Sequence, residues 1–291
     1  MSQPHIPLND GTSAPWLAFG TGTALYKQDA ANSVRSAIET GIRHLDGAQL
    51  YDNEDTLGDG IKASNVPRSE LYIVTKLKES IPDGATPKTM LLESLKKLKV
   101  DYVDLYLIHS PHIAAQQGKL KEWWASMEEV KNEGLAKSIG VSNFRVEDLK
   151  VILEDAKVVP AANQIELHPY VWKAARPIVE FCKEKGIVVE SYGGLTPVAR
   201  VPDGPVQPVI TSIADRLSKE AGKSVSLGQV LTKWLLQIGV IVVTTSSKVS
   251  RIQEAIAVSG LPDLTAEEIK SIEDEGFKLH KRIFMKHVFG E

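Results

Sequence analysis

The sequence predicts a closed (α/β)8 barrel of the TIM type, carried in one domain that spans residues 1–291. Three observations predict it. Short apolar runs, several rich in β-branched residues, alternate with stretches of helical periodicity along the whole chain. Eight such units fit 291 residues with no linker or low-complexity segment between them. Polar residues able to do chemistry recur at the ends of successive runs, where a parallel barrel places its reactive groups.

The first run, Trp16–Gly20, precedes a helix over Asp29–Thr40. Ile42–Asp46 and Leu71–Lys76 follow, and after Lys76 the residues Leu91, Leu95 and Leu98 share one helical face. Val103–His109, Ser138–Ser142, Ala161–Leu167, Ile187–Tyr192 and Val240–Thr245 complete the eight. These runs are too short for helices and read as buried strands. The Gly- and Pro-rich stretch Gly193–Pro208 reads as a long loop over the barrel mouth. Ile210, Ile213, Ala214 and Leu217 then mark one helix, and Leu227, Leu231, Trp234 and Leu235 another. The tail from Phe277 to Glu291 carries Phe284, Met285, His287 and Phe289, and is expected to fold back over the mouth, a frayed end being the alternative. The rival architecture is a doubly wound sheet, which would show G-x-G-x-x-G after its first strand. Here Gly20-Thr21-Gly22 runs on into Thr23-Ala24-Leu25, without the third glycine.

Composition excludes several classes of function. Net charge is -3 with no basic stripe, which argues against nucleic-acid binding. The polar, Pro-interrupted start, Met1 to Gly11, does not read as a signal peptide, so none is expected. The most apolar window, Val225 to Val243, contains Gln229, Lys233 and Gln237, so it reads as a buried helix entering a strand and not a membrane span. Cys182 is the only cysteine, which rules out an internal disulfide and fits a cytoplasmic, reducing location. There is no H-E-x-x-H, C-x-x-C or dense carboxylate cluster for a metal, and no G-x-S-x-G for a serine hydrolase. The acidic run Asp52, Glu54 and Asp55 reads as a solvated helix start.

Asp46, Lys76, His109 and Ser142 close successive runs at steps of 30, 33 and 33 residues, about one strand–helix unit each. Each alone is an ordinary structural residue. Together at one mouth they form a group, because a buried Asp or Lys is costly unless paired. Asp46 can hold Lys76 charged, and Lys76 can favour the phenolate of Tyr51 and lower its pKa from near 10. Tyr51 can then donate a proton to a carbonyl oxygen, which His109 can hydrogen-bond and orient, or His109 can help relay the proton. No side chain can deliver hydride, so a cofactor must. Ser142, Asn143 and Gln164 suit a carboxamide such as that of nicotinamide, and Tyr192 offers a flat face to its ring.

These segments resemble the aldo-keto reductase family. Gly41-Ile42-Arg43-His44-Leu45-Asp46-Gly47-Ala48, with Tyr51 and Asn53-Glu54, is similar to its first signature, although the family usually has an aromatic at Ile42. Val74-Thr75-Lys76 resembles its lysine strand, and Asp101 to His109 its histidine strand. Ile139 to Phe144 and Asn163 to Pro169 resemble two more segments, so the likeness spans nearly the whole chain in order. The resemblance implies the barrel, a usually monomeric chain, an extended nicotinamide cofactor and the catalytic set Asp46, Tyr51, Lys76 and His109. It implies cofactor contacts from Gly20, Thr21, Asp46, Ser142, Asn143, Gln164, Tyr192, Gly193, Leu195, Thr244, Thr245, Ser246, Ser247, Lys248 and Arg251.

Two departures stand out. The family's phosphate-binding segment usually reads Pro-Lys-Ser; here Thr245 replaces the lysine, Arg251 keeps the arginine position and Ala255 stands where Asn is usual. Thr244-Thr245-Ser246-Ser247-Lys248 instead resembles the fungal conjugated polyketone and α-keto amide reductases, which use NADPH. Lys248, Arg251 and the Ser246 and Ser247 hydroxyls would then hold the 2′-phosphate. Tyr26, Tyr51, His109, Pro111 and His112 are expected to face the substrate. With Thr23-Ala24-Leu25-Tyr26, Lys78 and Pro111-His112 where many relatives present tryptophans, the pocket reads as less aromatic and more polar, and Gly193-Gly194 replaces Ser-Pro. Trp123 and Trp124 read as helix packing. The implied function is NADPH-dependent reduction of an aldehyde or ketone, among them α-keto amides, α-keto esters and conjugated polyketones. Two other readings stay open: a Schiff-base lyase acting through Lys76, and a cofactor-binding partner protein without turnover.

Overall fold

The computed structural model of the chain describes residues 3–290. An antiparallel hairpin opens it, β1 (His5–Pro7) with β2 (Ser13–Pro15). Eight parallel strands follow: β3 (Leu17–Gly20), β4 (His44–Asp46), β5 (Tyr72–Leu77), β6 (Val103–Ile108), β7 (Ala136–Ser142), β8 (Ala162–Glu166), β9 (Val188–Tyr192) and β10 (Ile241–Thr244). They close into a barrel, with β10 paired to both β9 and β3. The (α/β)8 barrel expected from periodicity is therefore the fold, and all eight predicted runs are its strands.

The hairpin was not legible in the sequence. Prolines at 4, 7 and 15 and polar residues between them disguise it. It stops the N-terminal end of the barrel: Leu8 and Ala14 pack into the interior cluster of Tyr72, Val74, Leu105, Leu107, Ala162 and Ile241. Thr12 and Ser138 hydroxyls hydrogen-bond across that junction at 2.9 Å. The opposite end, where the strands' C-termini lie, remains for chemistry.

Helices wrap the barrel with their apolar faces inward. Leu91, Leu95 and Leu98 are buried on the helix Pro87–Leu98, as their spacing required. So are Ile210, Ile213, Ala214 and Leu217 on Gln207–Ala221. Trp123 and Trp124 are buried on Leu120–Asn132, as packing residues. The first helix, Ala31–Thr40, starts two residues later than its apolar pattern suggested, because Asp29 accepts the N–H of Ala31 and so stands outside it. The stretch after β9 is a loop holding one helical turn, Thr196–Ala199. The tail folds back over the mouth. Glu166, at the end of β8, accepts the backbone N–H groups of Ile283 and Phe284 at 2.9 Å each. Among the described residues no helix is long and apolar enough to cross a membrane.

Candidate active site

The closed parallel sheet brings the predicted group together. Asp46 ends β4, Lys76 lies one residue from the end of β5, and His109 follows β6. Tyr51 arrives on a 3-10 turn, Gln49–Tyr51, just after β4. Lys76 Nζ donates to Asp46 Oδ1 at 2.6 Å, to the Gly47 carbonyl at 2.9 Å and to Tyr51 Oη at 3.3 Å. The His109 ring meets the Tyr51 ring edge-on, with centroids 5.5 Å apart. Asp46, Lys76 and His109 are buried, and Tyr51 is half-buried.

The electrostatics differ from expectation at one group. Burial works against the Lys76 charge, but the Asp46 carboxylate and the Tyr51 oxygen outweigh it and hold its pKa above the ordinary value. For Tyr51 burial is the largest influence and raises the pKa; Lys76 lowers it, Asp46 raises it again, and the net direction is upward from 10. The sequence suggested a tyrosine made more acidic than usual. Asp46, tightly paired with Lys76, cancels much of the field that would have done so. Burial, with the nearby Lys76 cation, pushes His109 down to about 3, so its imidazole is neutral at physiological pH.

Two supports of Tyr51 were missed in the sequence. Gly22 lies against its ring: a Cβ there would stand 2.5 Å from Tyr51 Cζ, closer than any side chain tolerates. Only the glycine of Gly20-Thr21-Gly22 leaves that room, a signal present in the sequence but weighed there only as an incomplete dinucleotide motif. Asn53 is buried and its amide donates to the carbonyls of Thr21 and Leu25, tying the first barrel loop to the segment bearing Tyr51. Glu54 is also a correction. It is not solvated like Asp52 and Asp55 but buried, accepting from Thr75 and Ser94 hydroxyls at 2.6 and 3.2 Å.

A polar strip crosses the mouth beside this group. Asn143 adopts a left-handed φ of 62°, which Asn tolerates better than most residues. Its amide donates to the His109 carbonyl at 2.9 Å, and its oxygen accepts from Tyr192 Oη at 2.7 Å. Ser142 Oγ donates to the Gln164 carbonyl. Gln164 Nε2 donates to Asp46 Oδ2 at 2.7 Å. Phe284 of the tail backs Tyr192 edge-on at 5.7 Å. Gly193 turns the chain with φ 70°, and Leu195 follows, partly exposed.

Beyond the strip, Thr244 ends β10. Thr245 Oγ1 donates to the Gly20 carbonyl at 2.7 Å, and Thr21 caps the Asp46 carbonyl with its N–H and hydroxyl. Ser246 Oγ accepts the Lys248 N–H at the start of the helix Val249–Ile256. Ser247, Lys248 and Arg251 are exposed there, and neither cation has an ion-pair partner among the described residues. Two such cations beside hydroxyls at a helix start have the chemistry to receive a phosphate.

The five residues expected to face the substrate divide in two. Tyr26 packs edge-on against Tyr51 with centroids 6.5 Å apart, so Tyr26, Tyr51 and His109 form one wall. Pro111 and His112 line a separate cavity of about 290 Å³ with Arg145 and the tail residues His287 and Phe289. His112 meets His287 edge-on at 5.0 Å.

The profile of the Aldo/keto reductase family matches residues 16–275. An NAD/NADP-dependent indole-3-acetaldehyde reductase of Schizosaccharomyces pombe is 42% identical over 96% of this chain and 97% of its own. An NADPH-dependent alpha-keto amide reductase of Saccharomyces cerevisiae is 35% identical over 99% of this chain and 96% of its own. The crystal structure of a Bombyx mori aldo-keto reductase in complex with NADP superposes with a TM-score of 0.83 at 32% identity, covering 99% of this chain and 97% of that one.

Proposed function

Since the chain belongs to the aldo/keto reductase family, we propose that it reduces an aldehyde or ketone to the alcohol with NADPH, Tyr51 donating the proton. One observation carries this: Lys76 Nζ is shared between Asp46 Oδ1 and Tyr51 Oη at the barrel mouth. The raised pKa keeps the phenol protonated at neutral pH, the state a donor needs. Once the proton leaves, the phenolate sits 3.3 Å from an ammonium that Asp46 holds in place. Neutral His109 can donate to the carbonyl oxygen and orient it without adding charge. The same ammonium, held above its usual pKa, is a poor nucleophile, which disfavours Schiff-base chemistry at Lys76.

The residues fit an extended nicotinamide dinucleotide. Ser142, Asn143 and Gln164 offer carboxamide partners, Tyr192 a ring face, and Ser246, Ser247, Lys248 and Arg251 a set for the 2′-phosphate that distinguishes NADPH. When bound, the cofactor supplies the hydride that no side chain of this protein can. All of the proposed groups come from one barrel, which supports a monomer as the working unit. Among carbonyls, α-keto amides and α-keto esters join simple aldehydes as expected substrates.

The test follows loss of NADPH absorbance with a panel of aldehydes, α-keto esters, α-keto amides and diketones. Tyr51→Phe is expected to lower kcat by about 10²–10⁴-fold while NADPH still binds. Turnover left intact in that variant refutes the proposal.

A further inference from the structure

Glu190 lies in the middle of β9, fully buried inside the barrel, and the proposed chemistry gives it no role. Its Oε2 accepts from Gln164 Nε2 at 2.7 Å, and the same nitrogen donates to Asp46 Oδ2 at 2.7 Å. Both amide hydrogens of Gln164 are therefore spent on carboxyl groups. The ionised Asp46 carboxylate dictates which end of the amide is nitrogen, because an amide oxygen there would meet an acceptor only, and Glu190 then accepts from the same nitrogen in either protonation state. Gln164 Oε1 is left as an acceptor for an N–H at the mouth. Glu190 Oε1, by contrast, is buried with no partner among the described residues. An ionised carboxyl so placed is costly, and protonation relieves the cost.

The charged and titratable groups around Glu190 are few. Asp46 on β4 faces it through Gln164, and Lys76 and Tyr72 face it from β5. On the β10 side its register partner is Ile241, which carries no charge. Glu166, buried two residues beyond Gln164 on β8, is held by the tail's N–H groups, and His44 on β4, pushed down to about 4 by burial, is neutral. Next to Glu190 the Asp46 carboxylate is answered by the Lys76 ammonium, so one proton on Glu190 leaves this group without surplus charge. In keeping with this, burial and then the repulsion of Asp46, only partly offset by Gln164 and Lys76, push Glu190 up to about 7.

We propose that Glu190 is a positioning residue whose proton is linked to the oxidation state of the bound nicotinamide. It orients Gln164 toward the carboxamide, and it carries the buried charge that answers the ring's charge. The oxidised ring bears a positive charge that the reduced ring lacks. An ionised Glu190 favours the oxidised cofactor and a protonated Glu190 the reduced one, so binding the oxidised form releases this proton. This rests on reading the mouth as the nicotinamide site.

The test measures dissociation constants for NADP+ and NADPH by fluorescence titration across pH. The 2′-phosphate titrates in both forms, so its effect cancels in the ratio Kd(NADP+)/Kd(NADPH). Neither His109, neutral across this range, nor Lys76 and Tyr51, protonated throughout it, changes state. In the unaltered chain that ratio is expected to fall about tenfold from about pH 5.5 to about pH 8.5, the linkage of a one-unit shift. In Glu190→Gln, which keeps the shape and an acceptor for Gln164, the ratio is expected to be flat. A flat ratio in the unaltered chain, or the same slope in Glu190→Gln, overturns the proposal. An independent check needs no variant: infrared difference spectra between the NADP+ and NADPH complexes at neutral pH, with 13C-labelled glutamate, should show a protonated carboxyl lost in the oxidised complex. Absence of that band also overturns it. A chain that binds neither dinucleotide would instead sink the functional reading, and one that binds both and reduces carbonyls without the slope sinks only the role of Glu190.

Discussion

Lys76 Nζ and Asp46 Oδ1 are 2.6 Å apart with both side chains buried, the ammonium with no exposed surface at all. Such a pair holds its geometry because neither charge can leave it. Taking one partner away strands the other in a low-dielectric interior.

Lys76→Met is therefore expected to lower unfolding free energy by about 3–5 kcal/mol, read from urea denaturation, and to abolish turnover. Asp46→Asn added to Lys76→Met should regain part of that stability, since no charge is left stranded, but no activity. Full activity in the double variant, or no change in stability for Lys76→Met, contradicts the assigned pair.

The upward direction of the Tyr51 pKa sets the pH dependence. With Tyr51 as the proposed donor, carbonyl reduction uses the protonated phenol, so its alkaline loss should lie above the ordinary phenol value. Alcohol oxidation uses the phenolate, so it should keep rising with pH through the neutral range. Measuring kcat/KM in both directions from acid to alkaline pH checks this. A reductive rate that falls between pH 7 and pH 9, approximate limits set against the ordinary phenol value, would mean that Lys76 outweighs burial after all.

Gly22→Ala places a methyl group 2.5 Å from Tyr51 Cζ. The ring must move, and with it the proposed proton donor. A displacement near 1 Å costs on the order of 10²-fold in rate, whereas the melting temperature should hardly change, because the loop is not part of the core. Equal loss of stability and activity would point to a folding defect and not to a displaced donor.

At the proposed 2′-phosphate site, Arg251→Ala should weaken NADPH by about 10–100-fold, the worth of a charge-assisted hydrogen bond. NADH affinity should stay within about twofold, since it lacks the 2′-phosphate that this charge answers. Lys248→Ala should act in the same direction. Equal affinities for the two cofactors in the unaltered chain would remove Lys248 and Arg251 from this role.

Much of this was readable from residue order. Apolar runs of β-branched residues at unit spacing can satisfy their burial only in a parallel sheet covered by helices, so strands β3 to β10 followed from pattern. The positions of Asp46, Lys76 and His109 at strand ends followed as well, because strand ends share one mouth in a closed barrel. The hairpin β1–β2 did not, since its prolines and polar residues carry no period and its purpose is to plug a barrel that must first exist. Glu54 was misplaced for a related reason. Its neighbours Asp52 and Asp55 are solvated, and only the packing of Thr75 and Ser94 against it decides that one carboxyl of the three is buried.

The sequence by itself determined the architecture and the members of the proposed catalytic set, since both depend on periodicity and on residue type, which are local. Only the tertiary structure decided the charge states. The rise of Tyr51, the neutrality of His109, the clearance at Gly22 and the buried link from Glu190 through Gln164 to Asp46 all depend on how strands distant in sequence are juxtaposed. Desolvation and Coulomb interactions are set by distances across the barrel, and those distances exist only once it has closed.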